Sequence, residues 1–548
     1  MTTTTRFAGS LHSGVWTLAC GVLGLGASAL SGCGGGTCPP GTEMRGEGCV
    51  QLEDSSRPDS GRVDAGAVDA SALDTGTPVG DACSAADEID LAGTDSNCDG
   101  VDGIRDAQLY VSPRGDDGNS GRFGSPMRSI RRAVSLAAGQ PILVATGNYP
   151  EDGAMMFAGL GASTLALHGG YDPMTWARTT TRSSVQVGSD GAELHLVANG
   201  VISRIEIVGA DATDDGASAY GLRVEGTMAR LALRDVRLAA GRGSVGVTGT
   251  AGAGGGASAA GVNGIGCLGL ASGACTGSGP IVVAPSSCGI ASARAGDGAR
   301  TTMSGGSSAA GRNGGTTLGV AAEAGRFGPT GADGSPTENA TVSALRYQPP
   351  ISEPGAAGGA GEGGGGGAGG QRLTPTPGAC PATFTPSSTP PSGASGGSGG
   401  GGGCAGLGGG GGGGGGASIA MLGAAVTLEL EDCSLVASGG GAGGLGGRGG
   451  SGSLGGAAGR GGPAVCQAMS GFAYPASPGG DGGSGGAGGS GGHGAGGAGG
   501  PSLGLALTSG ATVESMPETT FMIASGGSGG ASPGRRGSDG ARSDVLSF

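Results

Sequence analysis

The chain has 548 residues, of which 136 are glycine and only 3% are aromatic. Glycine has no side chain to bury and loses the most backbone entropy on folding, so this composition argues against a conventional globular core. All 29 basic residues are arginine, and 43 acidic residues bring the net charge to -14. This balance argues against nucleic-acid binding, and the lack of lysine excludes lysine-based catalysis.

Residues 1–32 are predicted to be a lipoprotein signal peptide. The apolar run at 15–30 is too short and too rich in glycine for a spanning helix, but it suits a signal peptide. It ends in the motif LSGC, which resembles the lipobox of bacterial lipoproteins and implies that Cys33 carries acyl chains that anchor the protein to a membrane. Gly34, in place of the aspartate of inner-membrane lipoproteins, favours the outer membrane or cell surface. The alternative is ordinary secretory cleavage, with Cys33 in a disulfide.

Cysteine usage fits an exported protein, because exported chains usually pair their cysteines. We predict a pair between Cys38 and Cys49, in a small loop within residues 33–50, and a second pair between Cys83 and Cys98. Seven later cysteines cannot be paired from the sequence, and at least one of them is left over. None of them lies in a CxxC motif or beside a histidine, which argues against zinc.

An acidic stretch at 51–80 is predicted to be a disordered linker, and residues 81–106 a small module with a calcium loop. The loop spacing resembles that of secreted calcium modules such as thrombospondin type 3 repeats. The calcium ligands that this pattern predicts are Asp95, Asn97, Asp99, the carbonyl of Val101 and Asp106. Position 12 is aspartate and no flanking helix is evident, so a turn closed by the Cys83–Cys98 disulfide is the alternative.

Residues 107–248 are predicted to form the first coils of a solenoid. A strand at Leu109 is followed by a Gly/Asp/Pro turn, an amphipathic helix and the apolar strand 142–144. The apolar face of that helix, which could cover the open end of a solenoid, contains Ile130, Ala133, Val134 and Ala137. The stretch 109–149 resembles the opening coil of pectate-lyase-like right-handed parallel β-helix proteins, and most closely an uncharacterised bacterial domain family. The resemblance implies an all-β fold and no activity.

Three later stretches repeat one plan, with short alternating strands followed by a glycine-rich excursion. They begin at Ala219, Gly416 and Pro501, and residues 194–209 are a shorter version. Three strands per unit suit one coil of a parallel β-helix. In chain order, we therefore predict coils at 107–248, 416–441 and 501–548.

Two glycine-rich insertions, at 249–415 and 442–500, separate these coils. They resemble the PGRS-like tracts of repetitive bacterial surface proteins. We expect flexible outward loops, because polyglycine has the most entropy to lose. The alternative is ordered packing of extended polyglycine-II-like strands, since bare backbones can approach closely. Asp481 stands alone in the second insertion, which disfavours a calcium β-roll.

Catalytic candidates are few. The best acidic cluster is Asp211, Asp214 and Asp215, and the arginines near it in sequence are Arg204, Arg223, Arg230 and Arg234. Such a cluster could line a glycan groove, but solvated turns of this kind are common. His168 and His195 lie in apolar strands and are predicted to be packed residues, while His493 is isolated in a glycine tract.

The sequence therefore predicts a non-enzymatic cell-surface lipoprotein with a structural, adhesive or carbohydrate-contacting role. Its partners would be the membrane, through the lipid anchor, and a polysaccharide, with calcium as the one cofactor. One alternative is a polysaccharide lyase or glycoside hydrolase on a β-helix scaffold. Another is a largely disordered glycine-rich coat component.

Overall fold

The structure is a computed structural model that describes residues 42–45, 48–51, 83–84, 86–151, 155–157, 164–266, 322–382, 385–386 and 393–548. The chain divides into two units, Met1–Gly80 and Asp81–Phe548. In the first unit, strands β1 (Thr42–Arg45) and β2 (Gly48–Gln51) form an antiparallel hairpin. The predicted signal peptide, Cys33, Cys38 and the linker from residue 52 onward lie outside the described residues.

The second unit is nearly all β, with one helix among its described residues, α1 (Ile130–Leu136). The strands of its first half are β3 (Leu109–Val111), β4 (Ile142–Ala145), β5 (Asn148–Pro150), β6 (Met155–Phe157), β7 (Leu165–Tyr171), β8 (Ser183–Val187), β9 (Ala192–Leu196), β10 (Gly200–Ser203), β11 (Ile205–Gly209), β12 (Ala219–Arg234) and β13 (Arg237–Ala240). The strands of its second half are β14 (Thr341–Ser343), β15 (Arg346–Gln348), β16 (Thr376–Pro377), β17 (Thr385–Pro386), β18 (Ser418–Glu431), β19 (Ser434–Ala437), β20 (Val465–Met469), β21 (Phe472–Ala476), β22 (Ser502–Leu507), β23 (Thr512–Ser515), β24 (Thr520–Ile523) and β25 (Arg542–Ser547).

Two parallel sheets dominate this unit. The larger runs in the order β25-β22-β18-β12-β10-β7-β4-β3, with β6, β9 and β23 pairing beside it, and the smaller runs β24-β19-β13-β11-β8-β5. Their registers stack apolar side chains into ladders that form the buried core. The ladder of the smaller sheet contains Tyr149, Val185, Ile207, Leu238, Leu435 and Phe521. This is a sheet-rich, parallel-strand fold that is compatible with a solenoid.

The stretches that repeat in the sequence lie side by side in this fold. Ala219 pairs with Ser418, and Ser418 pairs with Ser502, so the repeated stretches are in register. The chain turns from the larger sheet to the smaller one at a residue with left-handed backbone in each repeat, with φ from 50° to 54°. These corner residues are Arg204, Asp235, Asp432 and Glu518.

Helix α1 covers one end of the core, as its apolar face predicts. Ile130, Ala133 and Val134 are buried in the core, and Ala137 follows at the C-cap. The Ser129 hydroxyl accepts a hydrogen bond from the Arg132 N–H and caps the helix N-terminus. The helix therefore covers apolar ladders that would otherwise be exposed at this end of the sheets.

The described glycine-rich residues are not flexible loops; this expectation was wrong. They form extended segments whose hydrogen bonds recur every third residue: Gly246, Gly249 and Gly252 donate to the carbonyls of Ala442, Leu445 and Arg448. A period of three is that of the polyproline II helix. We call this array the glycine bundle; its segments are g1 (243–265), g2 (322–335), g3 (352–371), g4 (393–416), g5 (439–462), g6 (477–500), g7 (525–531) and g8 (535–541).

The glycine bundle grows out of the sheets. Segments g1, g5 and g7 leave from β13, β19 and β24, which are neighbours in the smaller sheet, and remain hydrogen-bonded to each other in parallel. Segments g4, g6 and g8 return to β18, β22 and β25, which are neighbours in the larger sheet. Segment g6 is hydrogen-bonded to six other segments, namely g2, g3, g4, g5, g7 and g8. The order in which the strands pair therefore continues into the bundle.

Candidate functional site

A buried polar network joins residues 81–106, which we call the cysteine module, to the outer face of the larger sheet. An ion pair at 3.2 Å connects Arg178 Nη1 and Asp102 Oδ2, and each side chain is only 1% exposed. The Tyr171 hydroxyl donates to the same carboxylate oxygen at 2.7 Å. Arg178 also donates to the Ser203 hydroxyl at 2.8 Å, and that hydroxyl lies 2.9 Å from His168 Nδ1. Burial of these groups is tolerated because the two Nη nitrogens of Arg178, the Asp102 carboxylate and the two hydroxyls are paired; Arg178 Nε is the one atom of the guanidinium that is buried without a partner.

The network favours one tautomer of His168. Arg178 can only donate, so the Ser203 oxygen accepts from it, and His168 Nδ1 is then the one acceptor within hydrogen-bond distance of the Ser203 hydroxyl proton among the described residues. Burial, reinforced by the positive charges of Arg178 and Arg234, lowers the pKa of His168 to about 3. His168 is therefore neutral at pH 7 and holds its proton on Nε2.

A cleft of about 430 Å³ lies above His168, between residues 87–108 and the outer face of the larger sheet. Its polar lining consists of Asp87, Glu88, Gln108, His168 and Arg234. Its apolar lining consists of Ile89, Ile104, Ala107, Pro141, Val201 and Ala232. The size is that of a small-molecule site, and carboxylates on the module side face an arginine on the sheet side.

The His168 network predicts how stability depends on pH. In the folded chain the pKa of His168 is about 3, against an ordinary value of 6.5, so between these values the unfolded chain binds a proton that the folded chain does not. We expect the free energy of unfolding to be highest above pH 6.5. Below pH 6.5, His168 should lower the free energy of unfolding by up to about 1.4 kcal/mol for each unit by which the pH falls.

The check is urea denaturation of wild type and His168→Asn at several pH values between 3 and 8. The difference between the two curves isolates His168 from carboxyls such as Asp102, whose pKa burial raises and whose contribution runs the opposite way with pH. A difference that does not change with pH would contradict the neutral assignment.

The predicted calcium ligands cap their own loop. Asp95 accepts hydrogen bonds from the N–H groups of Asp99 and Gly100, and the Asn97 amide oxygen also accepts from Asp99 N–H. Asp99 in turn accepts from the N–H groups of Val101 and Arg105. In the part of the chain that the structure describes, no group of three or more acidic, histidine or cysteine side chains is arranged to hold a metal. Calcium binding by this loop, in which Asp106 was also predicted to take part, stays a prediction.

The acidic cluster and the nearby arginines are not brought together as a catalytic site. Asp211 accepts from the Arg242 N–H, and the Asp214 carbonyl accepts from Ala217 N–H, so these residues shape a turn. The four arginines pair with other carboxylates: Arg204 with Asp235, Arg223 with Glu193, Arg230 with Glu429 and Glu514, and Arg234 with Glu431.

The three histidines within the described residues have different surroundings. His168 is packed, as predicted. The prediction for His195 was wrong, because it lies on the outer face of β9 with Nε2 2.7 Å from Glu193 and Nδ1 3.2 Å from Glu225. His493 is not isolated either: its Nδ1 accepts from Gly449 N–H, and its own N–H donates to Asp333.

The cysteines that the structure describes in the second unit are either disulfide-bonded or free. The structure joins Cys83 to Cys98 in a disulfide and Cys380 to Cys466 in another, and Cys404 is disulfide-bonded as well. Cys433 is a buried free thiol, and burial raises its pKa to about 11, so it is unreactive. The odd number of later cysteines predicts that at least one of them is unpaired, and Cys433 is such a cysteine.

Sequence reasoning missed the pair of Asp102 and Arg178. Their separation of 76 residues leaves no local signal, since only the stacking of β7 under the module brings them together. Tyr171 and Trp176 are buried beside them, and both lie in one small cluster with Tyr110.

Comparison with protein-family models, with curated proteins and with solved structures finds no match to this chain. The resemblances to lipoproteins and to β-helix proteins therefore rest on the motifs themselves. Among the described residues, no helix combines the length and apolar character that crossing a membrane requires.

Proposed function

We propose that this protein is a cell-surface lipoprotein with a structural and adhesive role. In this proposal the parallel sheets form a right-handed parallel β-helix, Cys33 carries the lipid anchor, and the glycine bundle forms a rigid outer surface. The observation that supports the proposal is the bundle itself, in which long glycine-rich segments are held by a regular hydrogen-bond network.

The physical argument concerns stiffness. A single polyglycine chain is flexible, but each segment in the bundle has donors and acceptors satisfied by different neighbours at every third residue. Gly409, for example, donates to Gly492 and accepts from Gly355, while the next residue, Gly410, donates to Thr250. The disulfide from Cys380 to Cys466 closes a further loop beside it. Such a scaffold is suited to a passive surface role, because it resists local unfolding.

The lipid anchor provides a direct test of location. We expect wild-type protein made in a Gram-negative host to incorporate labelled palmitate and to fractionate with the outer membrane. We expect Cys33→Ala to lose the label and to appear in a soluble fraction, because one residue carries all the acyl chains. Cys433→Ala is the matched control, since a buried thiol cannot be the acylated one. Label retained by Cys33→Ala would refute the anchor.

The adhesive role is tested by incubating the chain with acidic and neutral polysaccharides, with and without calcium, and following bound and cleaved glycan by mass spectrometry. Binding without cleavage supports an adhesin. Cleavage would refute the non-enzymatic proposal and support a lyase or hydrolase. If the chain neither binds nor cleaves any glycan, glycan adhesion is refuted and only the structural role remains.

A further inference from the structure

We propose that the cleft above His168 binds a small zwitterion with an apolar body, of the size of a dipeptide of aliphatic residues. This inference goes beyond the surface role and does not depend on it. It rests on a cavity of about 430 Å³ and on a buried histidine that faces the cavity. No motif in the sequence marks this site.

The first argument is the orientation of His168. The residue is 93% buried, and Ser203 occupies its Nδ1. The Nε2–H has no protein acceptor among the described residues, and His168 belongs to the cleft lining. This nitrogen is not one of the fully enclosed polar atoms that lack a partner, so it is open to the cleft and can donate to a bound acceptor. A peptide carbonyl or a carboxylate supplies such an acceptor.

The second argument is the distribution of charge. Glu88 is exposed on the module side of the cleft, and beside it Asp87 already accepts the N–H groups of Ser96 and Gly103. The opposite wall carries Arg234, whose Nε pairs with Glu431 at 3.4 Å and whose Nη nitrogens have no partner among the described residues. An ammonium group can pair with Glu88 and a carboxylate with the Nη nitrogens of Arg234, so a molecule with both groups complements both walls.

The third argument is the apolar surface between the charged walls. Val201 and Ala232 are paired neighbours on β10 and β12, and their side chains form a half-buried floor. Ile89 and Ile104 approach it from the module. Burying aliphatic groups of a ligand here is favourable by about 25 cal/mol per Å² removed from water. A free amino acid with a short side chain would leave much of this surface uncovered.

The test is calorimetric titration of the full chain with Leu-Leu, N-acetyl-Leu-Leu and Leu-Leu amide. We expect Leu-Leu to bind with submillimolar affinity and each capped peptide to bind about fivefold more weakly, the loss that one exposed ion pair supports. Equal binding of all three peptides would overturn the zwitterion assignment. No heat with Leu-Leu at millimolar concentration would overturn the site.

Three variants locate the site. Glu88→Gln and Arg234→Gln should each weaken Leu-Leu binding about fivefold, and Ala232→Phe should abolish it by filling the floor. Arg230→Gln on the same strand β12 is the matched control, because Arg230 pairs with Glu429 and Glu514 away from the cleft. If Ala232→Phe keeps the wild-type circular dichroism spectrum and still binds Leu-Leu, the ligand lies elsewhere.

Discussion

Replacing Gly400 with alanine will destabilise the glycine bundle by about 3 kcal/mol, at the top of the range for overpacking a filled interior. A Cβ built at this residue lies 2.0 Å from the Gly456 carbonyl oxygen and 2.5 Å from its carbonyl carbon. The obstacle is backbone, which cannot rotate away as a side chain would. Segments g4 and g5 would have to separate, and hydrogen bonds along both would break.

The matched control is Gly254→Ala in segment g1. A Cβ there is 3.5 Å from its nearest neighbour, the Ser451 carbonyl oxygen, which is ordinary contact. Alanine also reduces the freedom of the unfolded chain, so this change should stabilise the protein by about 0.4–1 kcal/mol. The difference between the variants therefore reports packing, because both lose a glycine.

Hydrogen exchange followed by mass spectrometry is the measurement, because it separates the bundle from the sheets. In Gly400→Ala, amides of g4 and g5 should exchange faster, while those of β10 and β12 keep their wild-type protection. Unchanged protection across 393–416 would show that these segments are not packed as described.

The repeated strands could be predicted from the sequence because their signal is local. Alternation within each short strand marks the buried residues, and repetition of the pattern predicts that one repeat pairs with the next. Leu238 and Leu435, for instance, were both in repeat units and are paired in the smaller sheet. Helix α1 was predictable for the same reason, since its apolar face is visible at helical spacing.

The order of the glycine bundle was missed although a signal is present in the sequence. In g5 the residues other than glycine recur mainly at every third position, including Ala442, Leu445, Arg448, Ser451 and Leu454. A threefold helix puts these side chains in one row, and Leu445, Arg448, Ser451 and Leu454 are exposed. Glycine count alone favours disorder; the period of three is what indicates packing.

The same relation between glycine and close packing is visible along g6, on the face that g7 covers only in part. A Cβ at Gly496 or Gly499 of g6 would lie 2.0 or 1.9 Å from a carbonyl oxygen of Gly530 or Gly527 in g7. Further along the same row, where g7 does not extend, the residues are His493, Ser490, Ala487 and Ser484. Side chains thus replace glycine on the face of g6 that g7 no longer covers, while g2 stays hydrogen-bonded to the carbonyls of the same residues.

The candidate site could not be predicted in the same way. Asp87, Arg178, Ser203 and Arg234 belong to four distant parts of the chain, and only the stacking of strands under the module brings them together. His168 was expected to be packed, but its neutral state depends on burial and on the charge of a residue ten positions later. Contacts of this kind follow from the fold, not from spacing.

Breaking the ion pair of Asp102 and Arg178 will loosen the cysteine module from the sheet. Both side chains are almost fully buried, so Asp102→Asn leaves an uncompensated guanidinium and Arg178→Met leaves an uncompensated carboxylate. We expect each single change to lower the free energy of unfolding by about 3–5 kcal/mol. Asp102→Asn also removes the charged acceptor of the Tyr171 hydroxyl.

The double variant Asp102→Asn/Arg178→Met should recover much of that loss, because it leaves no unpaired buried charge and the methionine fills part of the same space. The surface pair of Arg536 and Asp539 is the matched control: both side chains are more than half exposed, and Asp539→Asn should leave stability unchanged. Urea denaturation of the four variants and wild type measures these effects. Losses that simply add in the double variant would mean that the two side chains do not act as a pair, and that other contacts hold the module to the sheet.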